Sequence, residues 1–168
     1  MSSKINALNE FIDAIKVIIL NSDYLQPVVI PPESGKVLDF LGVTHKLTHQ
    51  HNGGAYYLFE FKFDPESGNR LHVHSYEDEV VYVLEGEIQI RLGSEKLQAA
   101  VGGVAHLPKG IPHALYNPLK TTSRYLGIAV PGGMENFFDE LSAAQEVGEL
   151  DDAMHKRISR KYGIEWLE

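Results

Sequence analysis

The segment HVHSYEDE carries the chain's clearest chemistry. His72 and His74 stand two residues apart on an expected strand, so both imidazoles leave the same face. Glu79 follows a short turn, 75–78, and opens the next strand, which sets its carboxylate opposite the pair. Two neutral imidazoles and a carboxylate suit a divalent transition metal (Ni, Mn, Fe, Co, Cu or Zn) and do not suit Ca or Mg. His113 comes after the stiff PKGIP turn, where a further strand can supply a third imidazole. The chain has no cysteine, so a metal here rests on imidazole and carboxylate alone.

An HxH pair is weak by itself, and the sequence holds its own control. His49 and His51 are also two apart, yet they sit beside a polar turn with no acidic residue following at a usable distance, and they read as surface residues. His106 interrupts an apolar strand and reads as structural.

Positioning these groups requires strands, and the pattern supplies them. From 27 to 131 short β-type runs alternate with turn residues, the signature of a sandwich or barrel. Tyr57, Phe59, Phe61 and Phe63 share one face of a strand, preceded by Asn52-Gly53-Gly54, which reads as a hairpin turn. Runs at 80–84 and 87–92 flank a second turn at Glu85-Gly86, and further strands are expected near 37–41, 43–47, 104–107, 112–117 and 125–130. Val81 and Val83 share the parity of Glu79 and are expected to line the cavity, with Tyr57, Phe59 and Phe61 as further wall candidates.

Helical periodicity appears at both ends. Ile5, Leu8, Ile12, Ile15 and Ile19 predict an amphipathic helix over 4–20 within an N-terminal extension, 1–24. Met134, Phe137, Phe138 and Leu141 predict a helix after Pro131-Gly132-Gly133, and Asp151 caps a last one that Gly163 stops, so 132–168 reads as two helices. The expected layout is one domain over 1–168.

The net charge of −8 excludes the basic face that nucleic acid or an anionic membrane requires. Glu10 and Asp13 interrupt the N-terminal apolar residues, which argues against a secretion signal and makes the cytoplasm the expected location. Barrel edges and apolar helix stripes suggest a homodimer.

The spacing has a closer parallel. His72-x-His74, four residues, Glu79, six residues, Gly86 matches the first cupin motif from its histidine pair onward. Gly102, five residues, Pro108-x-Gly110, two residues, His113, three residues, Asn117 matches the second. The chain resembles the single-domain, quercetinase-like cupins, and SGKVLDFLGVTHKLT, GGAYYLFEFKF, PGGMENFFDEL and KYGIEWLE are also similar to segments of that branch. One departure stands out: Glu66 occupies the place of a motif glycine, with Gly68 displaced by two. The resemblance implies an all-β jelly-roll barrel with one divalent metal ion held by His72, His74, Glu79 and His113. It further implies dioxygenase chemistry on a flavonol-like or enolic small molecule with O2. In that chemistry Glu79 has a second role, taking the proton of the incoming enol. Another metal-dependent activity on the same barrel, an isomerase or lyase, and a non-catalytic ligand-binding module are the alternatives. Arg70, Arg91 and Lys109 lie near the motifs without a convincing place inside the cavity.

Overall fold

A computed structural model of the protein describes residues 27–167; the N-terminal helix expected over 4–20 lies outside them. Eleven strands run β1 (Lys36–Leu38), β2 (Val43–Leu47), β3 (Tyr57–Phe63), β4 (His72–His74), β5 (Asp78–Glu85), β6 (Glu87–Leu92), β7 (Glu95–Ala100), β8 (Val104–Leu107), β9 (His113–Tyr116), β10 (Ser123–Val130) and β11 (Ile164–Trp166). Among the described residues three α-helices, α1 (His49–Asn52), α2 (Glu135–Glu146) and α3 (Asp152–Lys161), and one 3-10 turn (Asp39–Leu41) join them. The strands form two antiparallel sheets, ordered β1-β2-β3-β10-β5-β8 and β11-β4-β9-β6-β7. This is the jelly-roll arrangement, in which two sheets close around a shared interior.

Strand alternation fills that interior. Along β5, Glu79, Val81 and Val83 are buried, whereas Tyr82 and Leu84 are exposed. Tyr57, Phe59, Phe63 and Tyr125 from one sheet meet Ile88, Ile90 and Leu115 from the other in a continuous core. A smaller cluster of Phe137, Leu141, Ile158 and Ile164 binds α2, α3 and β11 together over the barrel. Asp151 caps α3 as its sequence position indicates, accepting from the Met154 amide at 2.7 Å. Among the described residues no helix is long and apolar enough to cross a membrane.

Two local features differ from expectation, and the Glu66 departure takes a definite shape. The Asn52-Gly53-Gly54 segment does not make a hairpin turn; it ends α1, with Gly53 as a left-handed C-cap. A reciprocal cap explains the helix: His51 Nδ1 accepts from the Thr48 amide at 3.0 Å. The C-terminal segment is not helical throughout, because β11 returns to pair with β4. Finally, the motif glycine's place is filled by Glu66 in the left-handed region, φ 52°. Gly68 serves a different need there, since a Cβ on it would stand 2.3 Å from the Leu115 carbonyl oxygen.

Candidate metal centre

The three histidines come from one sheet and Glu79 from the other. On β4 the two-residue spacing turns His72 and His74 to the same inner face, and both are buried. Strand β9 pairs with β4 at a single register position, His72 opposite His113, which delivers the third ring. Glu79 faces inward from the start of β5, next to Ala129 on β10 and Leu107 on β8.

The two sequence motifs are physically tied. The Gly110 amide donates to the His74 carbonyl at 2.8 Å, and the Lys109 amide donates to Asp78 Oδ1 at 3.0 Å. Gly110 has φ 77°, which explains the glycine in that turn. Downstream, buried Asn117 pins the loop after β9. Its Nδ2 donates to the carbonyls of Asp64 and Thr121 at 2.9 and 2.8 Å, while its Oδ1 accepts from Ser123 Oγ at 2.8 Å and the Leu119 amide at 3.0 Å.

One potential ligand atom from each of His72, His74 and His113 lies within 4.8 Å of the other two, close enough for one ion. Glu79 Oε2 is 3.8 Å from His113 Nε2. The ring orientations are set from behind: His72 Nδ1 lies 2.8 Å from the Arg70 carbonyl and His113 Nδ1 lies 3.1 Å from that of Ile111. Nε2 is therefore the free ligand atom of both rings. Among the described residues His113 Nε2 and His74 Nε2 are buried without any hydrogen-bond partner, a costly state for polar atoms unless something binds them. Imidazole nitrogens converging beside a carboxylate fit a divalent transition-metal ion.

Burial keeps the rings ready to ligate. It pulls His72 down to about 3, with His113 and His74 adding to the effect. It pulls His113 down to about 4, again with a contribution from His74. Both rings are then neutral at ordinary pH, the form that ligates. Burial pushes the Glu79 carboxyl above its usual range; His74 opposes this and Glu77 reinforces it.

Beside these groups lies a cavity of about 190 Å³. Phe59 and Phe61 line it, with Tyr125 stacked on Phe61 at 5.5 Å between ring centres. Tyr57, Val81 and Val83 are not among its lining residues, contrary to the sequence reading. Sharing a face with Glu79 fixes the side of the sheet but not the distance along it. Val81 and Val83 lie two and four residues further along β5, steps of about 7 Å each, and are packed in the core. Tyr57 turns its hydroxyl to His45, 2.6 Å from Nδ1, while His45 Nε2 lies 3.2 Å from Asp139.

The decoy pair is anchored rather than free. His49 Nδ1 lies 2.8 Å from the buried Glu135 carboxylate, and His51 caps α1. His106 is exposed on β8. Sequence reasoning missed the roof of the cavity, formed by Phe137, Phe138, Leu141, His155, Ile164 and Trp166. Trp166 lies opposite His72 in the β11–β4 register, with ring centres 4.9 Å apart. Helical periodicity marks most of these as apolar, but nothing local indicates that they cover this opening.

Residues 59–129 match the cupin domain family (Cupin_2). Over 81 residues the chain is 31% identical to quercetin 2,3-dioxygenase of Bacillus subtilis (strain 168), covering 47% of this chain and 24% of that protein. The match thus spans about a quarter of that relative's length. Among solved structures, KdgF from Halomonas sp. has a TM-score of 0.55 at 17% identity, covering 66% of this chain and 99% of that one. An RmlC-like cupin from Shewanella frigidimarina gives 0.54 at 16%, covering 66% and 96%. A predicted oxalate decarboxylase from Thermotoga maritima gives 0.51 at 23%, covering 53% and 78%. These structural likenesses speak to the fold.

Proposed function

We propose that this chain, with its cupin-domain match over residues 59–129, is a metal-dependent dioxygenase acting on a flavonol-like or enolic molecule together with O2. One observation carries this reading: His72, His74 and Glu79 open onto a mostly aromatic and aliphatic cavity that, among the described residues, has no lysine or arginine in its lining. A phosphorylated or polyanionic substrate would find no side-chain counter-charge there beyond the ion itself, whereas a flat, largely apolar enol needs none.

In this reading His72, His74, His113 and Glu79 hold one divalent ion. That ion would supply Lewis acidity toward an enol oxygen and the one-electron chemistry that lets dioxygen react with a closed-shell molecule. The remaining work belongs to the chain. Phe59, Phe61 and Tyr125 provide a flat aromatic wall for the ring, and Phe137, Phe138 and Trp166 exclude water from above. Glu79, buried and raised above the ordinary carboxylate range, is suited to accept the enol proton and return a hydrogen bond to the same oxygen. Both atoms of dioxygen enter the organic product, so no external reductant is needed.

The test is oxygen uptake by metal-loaded protein against a series running from single-ring enols to quercetin, with ¹⁸O2 to trace the product. Stoichiometric uptake, two labelled oxygens in the product and a large loss in Glu79→Gln support the reading. No uptake with any member of the series overturns it.

A further inference from the structure

The three rings are not held alike. His72 and His113 each set their Nδ1 against the backbone carbonyl two residues earlier, Arg70 and Ile111. Among the described residues His74 has no such carbonyl, and both of its ring nitrogens are buried without a hydrogen-bond partner. What faces its Nδ1 is a carboxylate: Glu77 Oε2, at 3.5 Å. Glu77 is itself only 6% exposed, and among the described residues that same oxygen has no hydrogen-bond partner.

A buried carboxylate oxygen is expensive to leave unpaired, and so is a buried imidazole N–H. Here the two stand opposite each other, so each is the natural partner of the other. Glu77 is not among the residues that line the cavity; it faces the Nδ1 side of the His74 ring. We infer that Glu77 is a positioning residue for the metal centre, accepting the Nδ1 proton of His74 and so presenting Nε2, made more electron-rich, to the ion. This inference rests on the metal-site reading above.

Two consequences follow. The 3.5 Å separation is long for a hydrogen bond, and seating an ion against Nε2 fixes the ring so that the contact can close. His74 also becomes the strongest donor of the three, because a carboxylate behind an imidazole raises its basicity more than a carbonyl does.

The experiment compares wild type, Glu77→Gln and Glu77→Ala, each prepared metal-free and titrated with Zn²⁺ against a chromophoric chelator. Co²⁺ absorption spectra and ¹⁵N histidine NMR of the Zn²⁺ forms accompany the titrations. Loss of affinity of about 10- to 100-fold in Glu77→Ala is expected. Glu77→Gln, which keeps an acceptor oxygen without the charge, should fall between wild type and Glu77→Ala. The His74 Nδ1–H signal should shift in both variants while those of His72 and His113 stay in place. A residue that merely packs would lower the unfolding midpoint of the metal-free protein and leave affinity, spectrum and His74 signal unchanged; that result overturns the inference. If wild type itself takes up no Zn²⁺ or Co²⁺, the metal reading fails and this inference falls with it. If wild type and Glu77→Ala bind equally, only the inference falls.

Discussion

His72 and His113 sit directly opposite each other across the one register pair that joins β4 to β9, with ring centres 4.5 Å apart. Two residues 41 positions apart in the numbering are thereby fixed by a backbone pairing, and their side chains need no further adjustment to converge. Each ring is then oriented by a carbonyl of its own strand approach, that of Arg70 or Ile111. The site is rigid because it is built on strands, the arrangement that holds a coordination geometry best.

Acid should weaken the metal-free protein through these same rings. Both have folded values below the ordinary 6.5, about 3 and about 4, so the unfolded chain binds protons that the folded site refuses. Their contribution therefore falls as pH drops below about 6.5 toward those values. The raised Glu79 works in the opposite sense, its contribution being lost as pH rises through its folded value. Urea midpoints of chelator-treated protein at pH 7 and pH 5 should fall more in wild type than in His113→Gln; parallel falls would contradict this assignment.

Gly127 controls the aromatic wall. On β10 it lies opposite Phe59, and a Cβ placed there would stand 2.2 to 2.6 Å from three carbons of the Phe59 ring. Gly127→Ala should cost about 1–3 kcal/mol in urea unfolding. It should also raise KM for an aromatic enol, because the displaced ring belongs to the cavity lining. A fully stable variant with unchanged kinetics would refute the contact.

Much of the centre was legible before any coordinates. The HxH pair, Glu79 and the PKGIP turn stand out by their spacing, and strand parity puts Glu79, Phe59 and Phe61 on one side of their sheet, where all three line the cavity. Parity could not give depth, which is why Val81 and Val83 belong to the core and not the cavity. Strand β7, EKLQAA, has almost no apolar alternation because nearly all of it is exposed; its pairing with β6 holds it in place. Glu77 was invisible for a similar reason: it lies in a connection between strands, where periodicity says nothing about burial. The roof required knowing that β11 folds back to β4.

Glu66 offers a gain in stability. Its φ of 52° is a conformation that costs a residue with a Cβ about 1–2 kcal/mol, whereas glycine loses about 0.5–1 kcal/mol through added freedom in the unfolded chain. Glu66→Gly should raise the unfolding free energy by about 0.5 kcal/mol, read from the urea midpoint, with metal stoichiometry unchanged. A loss of stability would show that the Glu66 side chain contributes more than its backbone costs.

The most direct test of the account is elemental analysis of protein purified from metal-balanced medium, wild type beside His72→Ala, His74→Ala and His113→Ala. The account predicts one transition-metal ion per chain in wild type and little or none in each variant, with the metal-free fold retained. Metal-free wild type, or full occupancy in His113→Ala, would contradict it.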